Sequence, residues 1–174
     1  EAVVDRLKRP KREVHIALAG KYTDYKDAYK SVNEALIHGG IANEAKVRIR
    51  FLDTTDPKIQ EQLAGVDGIL VPGGFGDRGI EGKIRAVQYA RENKLPYLGL
   101  CLGMQVAVIE FARHVLGLKG AHSTEFDPGT ANPVIALQDT QKGVKLKGGT
   151  MRLGSQACQL VMGTGVQKLY NAFV

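Results

Sequence analysis

The fold is decided by a short apolar run that a proline and two glycines bring to an end, Gly68-Ile69-Leu70-Val71-Pro72-Gly73-Gly74. Consecutive apolar residues predict a strand that is buried on both faces, as in a parallel sheet. A second such run, Val14–Ala19, stops at Gly20. Val47–Phe51 alternates with basic residues, which predicts a strand near the edge of the sheet. Leu95–Leu100 is a further strand candidate.

Helical patterns separate these strands. Helices are predicted over Lys26–His38, where Gly39-Gly40 is expected to end the helix, over Pro57–Leu63, from Ile80 to Arg91, and from Met104 to Leu116. Crossovers of this length are right-handed and join parallel strands. The sequence therefore predicts the α/β class, with a doubly wound, mostly parallel sheet and helices on both faces. After Gly117 the pattern loosens, and only short strand candidates remain, at Val134–Leu137, Met151–Leu153 and Cys158–Val161.

Composition narrows the class of protein. The 174 residues are 44% hydrophobic and 24% charged, values typical of a globular domain and not of a disordered chain. The longest uncharged apolar stretch, Leu95–Val108, is shorter than the roughly 20 residues that a membrane helix needs. No signal segment is visible, so we expect a single cytoplasmic domain without a membrane partner. Two cysteines support neither a disulfide scaffold nor a structural zinc site, and no metal site is expected.

The net charge of +6 comes partly from a basic run at Arg6–Arg12. No aromatic residues interleave with these cations and no nucleic-acid motif is present, so we expect no nucleic-acid partner. We interpret residues 1–13 as a linker between domains, and residues 14–174 as the domain itself.

Ligands of such folds bind beyond the carboxyl ends of the strands, where two loops stand out. Gly99-Leu100-Cys101-Leu102-Gly103 has the pattern of a nucleophile elbow with cysteine in place of serine. Cys101 would adopt a strained backbone conformation at the start of a helix, whose N-terminal N–H groups favour the reactive thiolate. An oxyanion formed there needs donors, which the N–H of Leu102 and the Gly73-Gly74 loop can supply. Cys158 lacks flanking glycines and is interpreted as an inert strand cysteine.

These loops resemble a known family. Val71–Gly76 and Leu98–Gln105 are similar to the motifs of the class I (triad-type) glutamine amidotransferases, which are flavodoxin-like. Asp27–Val32, His122–Phe126 and Gly148–Gly154 resemble the glutaminase domains of CTP synthases more specifically. The resemblance extends from about Val14 to Phe173.

The resemblance implies a role for each matching residue. Cys101 would attack the side-chain amide of L-glutamine, release ammonia and form a glutamyl thioester that water hydrolyses. Gly74 and Leu102 would bind the oxyanion through their backbone N–H groups. The amino-acid end of glutamine would be held by four further residues: Gly103, Met104, Gln105 and Glu125. Glu125 suits the α-ammonium group because it is a carboxylate.

The family's base is a histidine in a His-x-Glu motif near the carboxyl end. None of the four histidines here is followed two positions later by glutamate. We therefore expect the sequence to be truncated before that segment, and Leu137–Gly148 also looks shorter than in many relatives.

The resemblance also implies components outside this sequence. No cofactor is expected in this domain, whereas a synthetase domain of the same polypeptide would use ATP and Mg²⁺ to aminate UTP. Arg78 lies in a loop that the family associates with activation by GTP, although it can equally be an ordinary exposed arginine. The family forms tetramers, so a homo-oligomer is expected. The alternatives are an amidotransferase for another acceptor, or an inactive interaction or regulatory module of the same fold.

Overall fold

The computed structural model describes residues 2–21, 26–139, 154–155 and 157–170. The chain divides into two compact units, Glu1–Leu137 and Gln138–Val174. The first unit contains both loops that the sequence singles out. The division between linker and domain at residue 13 stays a prediction; the structure has a helix, α1, at Ala2–Lys8.

The first unit is built on a parallel sheet of four strands in the order β2-β1-β3-β4. Its strands are β1 (Arg12–Gly20), β2 (Ala45–Asp53), β3 (Gly68–Val71) and β4 (Tyr97–Gly99). Every pairing in this sheet is parallel. All four residues of β3 are buried, as the apolar run predicts. β2 lies at an edge of the described sheet with alternating exposure, which confirms the prediction from its basic residues.

Helices cover both faces of the sheet, as predicted. They are α2 (Lys30–Ala42, entered through a 3-10 turn at Lys26–Tyr29), α3 (Ile59–Gln62), α4 (Ile80–Glu92) and α5 (Leu102–His114). Ala17 and Ala19 of β1 face the core under α3, α4 and α5, where Ile84 and Ile109 are fully buried. Leu18 points the other way, toward Tyr29 and α2. Each large side chain buried in this core stabilises the fold by about 1.5–3 kcal/mol.

The prediction that Gly39-Gly40 ends a helix is wrong. Helix α2 continues through both glycines to Ala42. A Cβ atom on Gly40 would lie 2.6 Å from the carbonyl oxygen of Ala45, so glycine lets the helix pack directly on the start of β2. The helix is ended instead by Asn43, whose side-chain amide donates to the carbonyl of Gly39.

Beyond α5 the structure is less regular. β5 (His122–Ser123) and β6 (Pro133–Ile135) form a small parallel pair that packs against α5, so a strand is present within the predicted Val134–Leu137 region. The predicted strand at Met151–Leu153, and residues 140–148 of the segment that looks short, lie outside the described residues. The predicted strand at Cys158–Val161 is wrong, since this stretch of the second unit has no regular structure. The second unit also contains α6 (Gly165–Tyr170), which has no buried residue.

Within the described ranges, every helix is too short or too polar to cross a lipid bilayer.

Candidate active site

Cys101 lies at the sharp turn between β4 and α5. Its backbone has φ 54° and ψ −105°, a positive φ that non-glycine residues rarely adopt. The turn is closed by hydrogen bonds from the N–H of Gly103 to the carbonyl of Leu100 (2.9 Å) and from Met104 to Cys101 (3.1 Å). The side chain is exposed. The strained elbow predicted from the sequence is therefore present.

Two glycines make this turn possible. A Cβ atom on Gly103 would lie 2.1 Å from the carbonyl oxygen of Val71, and one on Gly99 would lie 2.4 Å from the carbonyl carbon of Gly103. Real Cβ atoms do not approach backbone so closely, so the start of α5 packs on β3 and β4 only because both positions lack a side chain. The small residues on each side of Cys101 thus have the packing role that the sequence predicts.

The loop after β3 lies against Cys101. A Cβ atom on Gly73 would be 3.3 Å from Cys101 Cβ and 3.9 Å from its Sγ. The loop is held from β1, because the ammonium group of Lys21 donates to the carbonyl of Phe75. The guanidinium group of Arg78 in turn donates to the carbonyl of Lys21. Sequence patterns did not reveal this role of Lys21, which follows a strand end without any recognisable motif.

The predicted substrate-binding residues on α5 share its first turn. Leu102 and Gly103 are buried, Gln105 is half-buried, and Met104 is exposed. These residues therefore follow directly after Cys101 in the turn that begins α5.

Glu125 lies in a turn just after β5, where its N–H donates to the hydroxyl of Ser123 (3.2 Å). The segment is fixed to two helices by Arg113 of α5. Arg113 donates to both carboxylate oxygens of Glu81 on α4 (3.0 Å each) and to the carbonyl of Ala121 (2.7 Å). Glu125 is half-buried. This turn thus has a defined position beside the helices that begin at the two glycine loops.

A cavity of about 350 Å³ is lined by residues of this segment and of the start of α4. Its lining includes Thr54, Asp77, Arg85, His122 and Phe126. Burial and the nearby charge of Arg113 lower the pKa of His122, so its imidazole is neutral near pH 7. Nδ1 of this ring accepts from the N–H of Ser123 (2.9 Å), which makes His122 part of the turn.

Lys83 is a buried cation that the sequence analysis missed. It is 2% exposed on α4, and burial together with the positive charges of Lys21 and Arg78 lowers its pKa to about 8. A signal was present, because Lys83 falls three positions after Ile80 and four before Val87, on the apolar face of the helix.

No histidine in the described part of the chain forms a hydrogen bond with Cys101, the predicted nucleophile. His15 lies 3.3 Å from Glu13, and His114 lies 3.1 Å from the buried Glu110. Cys158 lies in the second unit and, like Cys101, is exposed. In the same described residues, no three histidine, cysteine or carboxylate side chains cluster as metal ligands would.

Most of the chain matches a known protein family. The model of the class-I glutamine amidotransferase family matches residues 24–172. The chain belongs to this family. Two of the motifs that narrow the resemblance lie in different parts of the structure. Gly148–Gly154 is largely outside the described residues. Asp27–Val32 leads into α2, and its Tyr29 is buried beside the end of β1.

Relatives with close sequence similarity are CTP synthases. The chain is 60% identical to the CTP synthase of Caldanaerobacter subterraneus over 171 residues, which cover 97% of this chain and 32% of that protein. It is 55% identical to the CTP synthase of Geobacter metallireducens, with 99% and 33% covered. The chain thus spans about a third of the length of these relatives.

A solved structure is similar as well. It is the glutaminase domain of Trypanosoma brucei CTPS with bound acivicin, which is 43% identical and superposes with a TM-score of 0.69. The match covers 74% of this chain and 52% of that chain. This similarity confirms the predicted α/β fold.

Proposed function

We propose that this chain is the glutaminase part of a CTP synthase. The observation that carries the proposal is the backbone of Cys101, held at positive φ at the start of α5 and against the loop that contains Gly73. Such strain persists only where the surrounding structure enforces it, and it is typical of catalytic nucleophiles.

The proposed reaction is hydrolysis of the side-chain amide of L-glutamine. Sγ of Cys101 attacks the amide carbon, and the oxyanion that forms accepts hydrogen bonds from the N–H groups of Gly74 and Leu102. Collapse of this intermediate breaks the C–N bond, releases ammonia and leaves a glutamyl thioester. Water then hydrolyses the thioester and frees glutamate. The proton transfers in both steps need a base, which we assign to the family's His-x-Glu motif because no histidine here matches it.

Specificity for glutamine requires charged or polar partners away from the thiol group. We assign the α-ammonium group to the Glu125 carboxylate and the remaining contacts to Gln105 and the backbone of Gly103 and Met104. The position of these residues supports the assignment of the remaining contacts, because Gly103, Met104 and Gln105 follow Cys101 in the first turn of α5.

The acceptor of the ammonia would be UTP, bound in a synthetase domain that also uses ATP and Mg²⁺. The sequence has no Walker pattern, and we assign no ATP contact to the residues of this chain. Arg78 is proposed to take part in activation by GTP, and its bond to the carbonyl of Lys21 ties its loop to β1. A cytoplasmic homotetramer is proposed from the resemblance to the family.

The experiment compares two nitrogen sources in the full-length protein that contains this chain. Cys101→Ser should abolish CTP formation from glutamine and leave formation from ammonium chloride near the wild-type rate. Cys158→Ser is the matched control and should retain both activities. Glutamine-dependent synthesis within tenfold of wild type in Cys101→Ser would contradict the proposal. Absence of glutamine-dependent synthesis in the unchanged protein, with ammonia-dependent synthesis intact, would favour an inactive glutaminase module.

A further inference from the structure

Tyr97, the first residue of β4, contacts the first turn of α5, which follows Cys101. Its hydroxyl group donates a hydrogen bond of 2.7 Å to the carbonyl oxygen of Gly103. Burial raises the pKa of Tyr97, so the phenol keeps its proton and remains a donor at any physiological pH. The ring packs against the core under α4 and α5. This side chain therefore joins the rigid sheet to the first turn of α5.

Gly103 is the residue on which the turn depends. Its backbone lies against the end of β3, where a Cβ atom would be 2.1 Å from the carbonyl oxygen of Val71. Gly99 of β4 presses on it from the other side. Val71 is followed directly by the Pro72–Gly74 loop, and Gly103 comes two residues after Cys101. The position of Gly103 thus fixes the distance between the nucleophile and that loop.

The contacts around Gly103 also explain how Cys101 keeps its backbone conformation. A cysteine at φ 54° relaxes toward negative φ unless its neighbours prevent it. Backbone packing at Gly103 resists movement toward β3, but packing alone does not stop the turn from moving away. The Tyr97 hydroxyl is an attractive contact that opposes this movement, because it holds the carbonyl of Gly103 from the side of the sheet.

We propose that Tyr97 is a positioning residue for the nucleophile, which holds the first turn of α5 so that Cys101 faces the Pro72–Gly74 loop. The inference rests on the proposed role of Cys101. It adds a side chain that touches neither substrate nor thiol and that acts through Gly103.

The test is the rate at which an electrophilic glutamine analogue inactivates the protein. In Tyr97→Phe the first-order rate of inactivation at saturation should fall roughly 5- to 30-fold, since misplacing a reacting group by about 1 Å can cost a factor of about 100. The half-saturating concentration should rise by a smaller factor than the rate falls, because Glu125, assigned to the α-ammonium group, lies on a separate turn after β5. Both are measured at a temperature at which each variant keeps the wild-type far-ultraviolet spectrum.

Tyr89→Phe is the matched control. Tyr89 lies on α4 and packs against the same core, and its hydroxyl group has no hydrogen-bond partner in the described part of the chain. It should lose no reactivity. Equal saturating rates in the two variants would overturn the positioning role of Tyr97, even if Tyr97→Phe melts at a lower temperature. Absence of modification at Cys101 in the unchanged protein would overturn the proposed function and this inference together.

Discussion

Gly73 packs against Cys101 so closely that a Cβ atom on its backbone would lie 3.3 Å from Cys101 Cβ. The two residues come from loops after neighbouring strands, β3 and β4, which are paired in register from Ile69 and Tyr97 to Val71 and Gly99. Parallel pairing of β3 and β4 thus brings the glycine loop and Cys101 together.

Gly73→Ala tests the importance of this contact. The added methyl group must displace Cys101 or the loop by a few tenths of an ångström. We expect glutamine-dependent kcat to fall roughly 3- to 10-fold, because small shifts of reacting groups are costly. Gly39→Ala is the control, since a Cβ there meets nothing within 4 Å. That substitution should leave activity intact and raise stability by about 0.5–1 kcal/mol, as expected for glycine inside a helix. Equal activities in the two variants would contradict the packing described here.

A buried ion pair joins the helices that carry the two loops. Glu110 of α5 is 1% exposed and accepts hydrogen bonds from Arg91 of α4 at 2.8–3.1 Å. Arg91→Met leaves that carboxylate with His114 as its one remaining partner among the described residues, and we expect the free energy of unfolding to fall by about 2–4 kcal/mol. The double variant Arg91→Met, Glu110→Met should lose less than the single variant, because no buried charge is left without its partner. Urea unfolding curves measure both, and a double variant at least as unstable as Arg91→Met would refute this.

The fold could be predicted because its signals are local. Runs such as Gly68–Val71 must be buried on both faces, and the helical spacing from Ile80 to Arg91 leaves one arrangement of the crossover. Helix α2 continues past its predicted end. Position 40 must be glycine because the helix packs there against the start of β2, and no local sequence pattern reveals that contact. The strand expected at Cys158–Val161 failed for a similar reason, since short apolar stretches form strands only when a neighbour pairs with them.

The elbow could be predicted because glycines stand two residues before and two residues after Cys101, where a strand and a helix must pack closely. Lys21 and Tyr97 could not, because each acts through a hydrogen bond to a backbone carbonyl that no sequence pattern reveals. The position of Lys83 on the apolar face of α4 was a detectable signal, but its lowered pKa depends on burial and on the charges of Lys21 and Arg78. Their residue types have many other uses, so only the packed structure distinguishes them from ordinary surface or core residues.

The buried ammonium group of Lys83 predicts a pH dependence of stability. Its pKa is about 8 in the folded chain and about 10.4 when unfolded, so the unfolded state binds more protons between these values. The free energy of unfolding of the wild type should therefore rise, relative to that of Lys83→Met, as the pH increases from about 8 to 10.4. At pH 7 the variant should be more stable by about 2–3 kcal/mol, and the difference should shrink toward zero near pH 10.4. Denaturant curves at several pH values measure it, and a difference independent of pH would show that Lys83 is not desolvated as described.

Glu125 is tested by its effect on substrate use in the full-length protein. Glu125→Gln should lower kcat/KM for glutamine by the equivalent of about 2–5 kcal/mol if the ammonium pair is well desolvated. CTP formation from ammonia should stay near the wild-type rate, because that route bypasses the site. Asp127→Asn is the control on the same turn, where Oδ1 can still accept from the N–H of Gly129. Equal losses with both nitrogen sources would indicate that Glu125 supports folding and does not bind substrate.

The most direct measurement of the central claim is the site of modification by an electrophilic glutamine analogue. Both cysteines are exposed, so accessibility alone predicts that Cys101 and Cys158 react alike. Only Cys101 lies at a strained turn beside a glycine loop, and peptide mass mapping should therefore find the label on Cys101 alone, with excess glutamine slowing its appearance. Equal labelling of both cysteines, or labelling of Cys158 alone, would contradict the assignment of Cys101 as the nucleophile.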